Sequence, residues 1–156
     1  LDLAQAFEFS TPGDYLSGRG GGIGQGLAGA IGAKQGQPER PVLAVSGDGS
    51  AMYSIQALWS AAHHDLDIVF VILVNREYRI LKHNMDTYRQ RFDANSNQGY
   101  PRMNLENPNM DFVSIAQGMG VPGCVISQPD ELAAAVKGAF AKTGPYLIAV
   151  NIEGKR

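Results

Sequence analysis

The chain has 156 residues, 44% of them hydrophobic and 18% charged, with a formal net charge of −2, a length that accommodates about one domain. Such a balance disfavours nucleic acid or an anionic membrane as partner. No apolar run reaches the roughly 18 residues that span a bilayer, and no positively charged leader precedes an apolar segment.

Residues 1–17 hold no complete strand-turn-helix opening. Gly24-Gln25-Gly26-Leu27-Ala28-Gly29 fits the G-x-G-x-x-G pattern of dinucleotide-binding folds. That fingerprint needs a preceding hydrophobic strand, and Leu16 to Gly20 makes a poor one. The small residues Gly26, Ala28, Gly29, Ala30 and Gly32 are instead expected to let a helix pack closely on its neighbours. Pro41 to Val45 reads as a buried parallel strand, and Ile68 to Val74 as another. Between them Ser54 is placed to cap a helix whose apolar stripe is Ile55, Leu58, Trp59 and Ala62. His63 and His64 close that helix, where the helix dipole favours them without any metal.

Glu77 to Arg91 reads as a helix with Ile80, Leu81, Met85 and Tyr88 on one side and Arg79, Lys82 and Arg89 on an exposed other side; His83 is expected to be solvated. Residues 93–109 contain five Asn, two Pro and one Gly, a long loop of the sort that serves as a lid or surface excursion. Asp111 caps a short helix to Gly118, a strand follows around Val125 and Ile126, and Pro129-Asp130-Glu131 opens a helix through Lys142. Leu147 to Ile152 closes the sheet. The one cysteine, Cys124, cannot form an internal disulfide and is expected to be a small buried residue; the expected location is cytoplasmic. The fold class is α/β, a mainly parallel sheet flanked by helices on both faces.

Gly47-Asp48-Gly49-Ser50 and Asn75, 27 residues beyond Asp48, therefore emerge together at strand carboxyl ends, where open α/β sheets bind ligands. A carboxylate, an amide and the backbone carbonyl near Glu77 are hard oxygen donors of the kind Mg²⁺ takes beside phosphate and water. Gly49 permits close approach of a phosphate, and Ser50 offers a hydroxyl and an N–H. In outline this is a magnesium-diphosphate site.

Gly-Asp-Gly followed at this spacing by Asn resembles the thiamine diphosphate enzymes, and Gly47 to Trp59 is most similar to benzoylformate decarboxylase and to acetolactate-synthase-like proteins. The resemblance runs across nearly the whole chain. It implies a C-terminal thiamine diphosphate-binding domain, spanning residues 1–156, that takes the diphosphate half of the cofactor. Asp48, Asn75 and Glu77 would hold Mg²⁺, and Gly47, Gly49, Ser50 and Tyr78 the diphosphate. Gly21, Gly22 and Ile23 would face the aminopyrimidine, with Ile23 propping the cofactor's bent shape. Ile80, Leu81 and Asn84 would approach the substrate, a small 2-oxo acid. The family reads Asn-Asn-Gly where this chain has Val74-Asn75-Arg76; Asn75 keeps the metal-binding position, while Arg76 is costly if a positive φ is required there.

The implied reaction is decarboxylation of the 2-oxo acid to an aldehyde by a lyase, with acetolactate-synthase-like carboligation, or a catalytically silent cofactor-binding or assembly module, as alternatives. In the family the pyrimidine-activating Glu belongs to a separate pyrimidine-binding domain, and no residue of this chain corresponds to it. The chain, opening on Leu1, thus reads as a fragment or a naturally split subunit, partnered in cis or trans by that domain in a homo- or hetero-oligomer.

Overall fold

The computed structural model describes residues 7–18, 20, 22–94 and 98–153. Its centre is the apolar run β2 (Ile68–Val74), in which Phe70 and Ile72 are fully buried. β1 (Val42–Gly47), β3 (Gly123–Ile126) and β4 (Tyr146–Asn151) join it in one sheet of order β1-β2-β4-β3, every pair parallel. β1 begins one residue later than expected and runs on through Ser46 and Gly47, so Gly47 pairs with Leu73. The carboxyl ends of β1 and β2 are thereby level.

Side chains alternate across the strands. Ala44, Phe70, Ile72, Leu147 and Ala149 face one layer, made of α1 (Gln25–Gly36), α3 (Ala57–His63) and α5 (Phe112–Gly118), which contribute Leu27, Ala30, Leu58, Ala61, Phe112 and Ala116. Val69, Val71, Ile148 and Val150 face α6 (Leu132–Phe140) and its Leu132, Ala135, Val136 and Ala139. Each fully buried Leu, Ile or Phe contributes about 1.5–3 kcal/mol. The two faces follow from handedness: β1 to β2 steps one way across the sheet and β3 to β4 the other, so right-handed crossovers place α3 and α6 on opposite sides. Helices on both faces of a parallel sheet are as expected.

Several elements differ in detail. Ser54 does not cap a helix: its hydroxyl donates to the Gly24 carbonyl at 2.6 Å, and α3 starts later, at Ala57. The buried side of α3 is Ala57, Leu58 and Ala61, whereas Trp59 is 55% exposed and stacks on His63. Ile55, Leu58 and Ala62 of the expected stripe do pack on this core, and Trp59 alone turns away from it. In α1 only Ala30 among the small residues is buried; Gly26, Ala28, Gly29 and Gly32 are exposed, so they do not serve packing among the described residues. Lys34 is buried there, its ammonium donating to the Pro38 and Arg40 carbonyls beyond the helix end. Among the described residues no strand precedes α1, as the dinucleotide fingerprint would require. Asp111 does cap α5, its Oδ1 accepting from the Ser114 N–H at 3.0 Å. Cys124 is half-buried. No described helix is long and apolar enough to cross a membrane.

Candidate functional site

β1 passes directly into the short α2 (Asp48–Ala51), which puts Asp48 at the strand's carboxyl end. Asp48 is 3% exposed. Its Oδ1 accepts the Gly49 N–H at 2.8 Å and its Oδ2 the Arg76 N–H at 2.7 Å. Each carboxylate oxygen keeps further lone-pair capacity. Beside it, Asn75 Oδ1 accepts the Glu77 N–H at 3.0 Å. The two side chains thus flank one stretch of backbone, residues 75–77, at the ends of adjacent parallel strands.

Arg76 adopts a φ of 57°, the left-handed region that costs a side-chain-bearing residue about 1 kcal/mol. The positive φ that glycine would accept freely is therefore real at this position. Three bonds hold it: the N–H to Asp48, the carbonyl accepting from the Leu105 N–H at 2.7 Å, and the guanidinium donating to Asn151 Oδ1 at 3.2 Å. Asn151 in turn donates to Ser127 Oγ at 3.0 Å, so the turn is tied to the ends of β4 and β3.

Residues 98–105 form a strap that runs antiparallel to residues 76–78. Tyr78 N–H donates to the Met103 carbonyl at 2.8 Å, and Glu77 pairs with Asn104. In such a pairing the middle residue turns its N–H and carbonyl away from the partner strand. Glu77 accordingly gives its N–H to Asn75, and its carbonyl lies on that same side. The Glu77 side chain points elsewhere, to Lys82 Nζ at 2.5 Å and Arg79 at 3.1 Å. The hydrogen bond from Lys82, with the charges of Lys82 and Arg79, holds the Glu77 carboxyl below the ordinary carboxylate range. A backbone oxygen, not a second carboxylate, is what Glu77 presents beside Asn75.

Gly49 is buried, and a Cβ there would lie 2.7 Å from Tyr78 Cε1 and 3.3 Å from Leu105 Cδ1. Its immediate use is to admit the Tyr78 ring. Gly47 and Ser50 are exposed on either side. Gly22 and Ile23 are exposed as well, Ile23 at 59%, and Gly21 lies outside the described residues. Gly24, at φ 82°, would place a Cβ 2.7 Å from Tyr53 Cβ, so the glycine segment abuts the entry to α3. Ile80, Leu81 and Asn84 lie exposed on α4 (Arg79–Arg91), a helix that begins two residues later than expected and contains no buried residue. Asp48, Gly49, Asn75, Glu77 and Tyr78 thus form one connected group; Ile80, Leu81 and Asn84 stand outside it. Sequence reasoning missed Lys82, Asn104 and Leu105. Lys82 was expected on a solvated face, yet its side chain is only 20% exposed.

These donors suit Mg²⁺ and a diphosphate. The carboxylate, amide and carbonyl oxygens are hard donors, the kind Mg²⁺ takes together with phosphate and water. An all-parallel sheet with helices on both faces and an oxygen-rich turn at its carboxyl edge defines the class: an open-sheet α/β domain. Residues 1–150 match the family described as thiamine pyrophosphate enzyme, C-terminal TPP binding domain, and the chain belongs to it. It is 44% identical over 96% of its length to a Mycobacterium tuberculosis protein provisionally named an acetolactate synthase large subunit, and 40% identical over 94% to benzoylformate decarboxylase of Pseudomonas aeruginosa. It covers 29% and 26% of those proteins, so it spans less than a third of either. The solved 4-hydroxybenzoylformate decarboxylase of Rhodococcus jostii superposes on 85% of this chain with a TM-score of 0.73 at 34% identity, the chain covering 24% of that structure.

Proposed function

We propose that this chain is the diphosphate-binding half of a Mg²⁺-thiamine diphosphate site in an enzyme that decarboxylates a 2-oxo acid to an aldehyde. The observation that carries the reading is the placement of Asp48 and Asn75 around residues 75–77 at the level ends of β1 and β2. Asp48, the Asn75 amide oxygen and the Glu77 carbonyl hold the cation. Gly47, Gly49, Ser50 and Tyr78 line the diphosphate; Gly21, Gly22 and Ile23 meet the pyrimidine side; Ile80, Leu81 and Asn84 reach toward substrate. When bound, thiamine diphosphate supplies the electron sink that lets the 2-oxo acid lose CO₂. The chain's own residues bind and orient, and Tyr78 with Leu105 covers Gly49. The proton chemistry on the pyrimidine falls to a Glu of a pyrimidine-binding domain, in cis or in a partner subunit.

Titration calorimetry tests this directly. Thiamine diphosphate is expected to bind the chain with Mg²⁺ present and to lose that binding in EDTA. Binding that ignores Mg²⁺ would remove Asp48 and Asn75 as ligands.

A second reading, carboligation of the acetolactate synthase type, is favoured by the 44% identity to a relative of that name. Product analysis with pyruvate against benzoylformate, in the presence of a pyrimidine-binding domain, separates the two.

A further inference from the structure

Glu77 and Asn104 form the one rung between residues 76–78 and the strap that carries no backbone hydrogen bond, because their N–H and carbonyl groups point outward. Lys82 spans that rung through side chains. Its ammonium donates to Glu77 Oε2 at 2.5 Å and to Asn104 Oδ1 at 2.7 Å, and lies 5.6 Å from the centre of the Tyr100 ring. Both hydrogen bonds and the ring contact of the ammonium thus go to the turn or the strap. The far end of the strap is held separately: Tyr100 donates to Asp86 at 2.6 Å, and Arg89 donates to the Gln98 and Gly99 carbonyls at 2.7 and 3.1 Å.

We infer that Lys82 is a positioning residue that couples the strap to the Asp48 turn, so that ordering residues 98–105 and completing the cation site are one event. The chain of contacts is continuous. Lys82 fixes Glu77 against Asn104, which lets Met103 take the Tyr78 N–H and Leu105 give its own N–H to Arg76. Arg76, so held, presents its N–H to Asp48, while Leu105 and Tyr78 close over Gly49. The inference rests on the cofactor reading above for the identity of the ligand, and on this geometry alone for the clamp.

The test uses the full chain, as wild type, Lys82→Met and Lys82→Arg. Amide hydrogen exchange is measured without ligand, and Mg²⁺ affinity is then titrated at saturating thiamine diphosphate. Lys82→Met should speed exchange of the Tyr78 and Leu105 amides about tenfold, the size of a lost charge-assisted bond, and leave Phe70 and Ile72 unchanged. Its Mg²⁺ dissociation constant should rise about tenfold, with Lys82→Arg within about threefold of wild type on both readouts. Unchanged exchange at Tyr78 and Leu105 overturns the clamp, and faster exchange with unchanged Mg²⁺ affinity overturns the coupling. Acceleration spread equally over Phe70 and Ile72 would reduce Lys82 to general stability and also overturns it. If wild type binds no cofactor at any Mg²⁺ concentration, the cofactor reading fails, while the exchange data still decide the clamp.

Discussion

Asp48 Oδ2 accepts the backbone N–H of Arg76 at 2.7 Å, a bond between residues 28 apart that joins the carboxyl ends of β1 and β2. Together with the Gly49 N–H on Oδ1, it gives Asp48 a structural task beside its proposed ligand role. Asp48→Ala leaves the buried Gly49 N–H and the part-buried Arg76 N–H without their acceptor and should cost about 1–3 kcal/mol in urea unfolding. Asp48→Asn retains one acceptor oxygen and should cost less, while Mg²⁺-dependent cofactor binding disappears in both. Retained binding in Asp48→Asn, measured by calorimetry, would remove the carboxylate from the cation site.

Gly49 and Tyr78 are in closer contact than any other side chain would permit. In Gly49→Ala the new methyl meets Tyr78 Cε1 at 2.7 Å, and the ring must move, at a cost of about 1–3 kcal/mol. Tyr78→Leu combined with Gly49→Ala should recover part of that loss in thermal denaturation. Additive losses would show that the two residues do not share the space.

Arg76 offers a separation of backbone strain from side-chain anchoring. Arg76→Ala keeps a residue with a Cβ at φ 57° and loses the bond to Asn151, whereas Arg76→Gly loses the same bond and relieves the strain. The glycine variant should therefore be the more stable of the two by about 1 kcal/mol in urea unfolding. Equal stabilities would mean the left-handed conformation costs nothing here.

Glu77 sets a pH dependence. Its carboxyl is more acidic in the folded chain than its ordinary value of 4.5, first through the Lys82 hydrogen bond. A group with a depressed folded value contributes stability that is complete above the unfolded value and is lost as pH falls through the folded one. Wild type should thus lose its margin over Lys82→Met as pH is lowered below 4.5. Urea midpoints measured from pH 7 downward check it, and a margin that persists in acid would exclude the ion pair as its source.

The strands and the Asp48 turn were legible because their signals are local: apolar runs of β-branched residues, a glycine-flanked carboxylate and a fixed spacing to Asn75. The same holds for Asp111, whose cap acts within three residues. What escaped was set by distant backbone pairing. The strap lies in a polar loop without periodicity, and Lys82 looks like any surface lysine until Asn104 is folded beside Glu77. Trp59 was misassigned because the buried side of α3 runs through Ala57, Leu58 and Ala61, which turns Trp59 outward to stack on His63. The shape of the proposed site was visible in the sequence, and the contacts that hold its loop were not.

α4 contains no buried residue, whereas β2 is buried almost throughout. Helices of this length gain little from propensity alone and take their stability from packing. Here that packing comes from the strap and the ion pairs at the first turn rather than from the core. The helix-and-strap unit is therefore expected to open locally before the sheet layer does, as a separate and weaker cooperative unit.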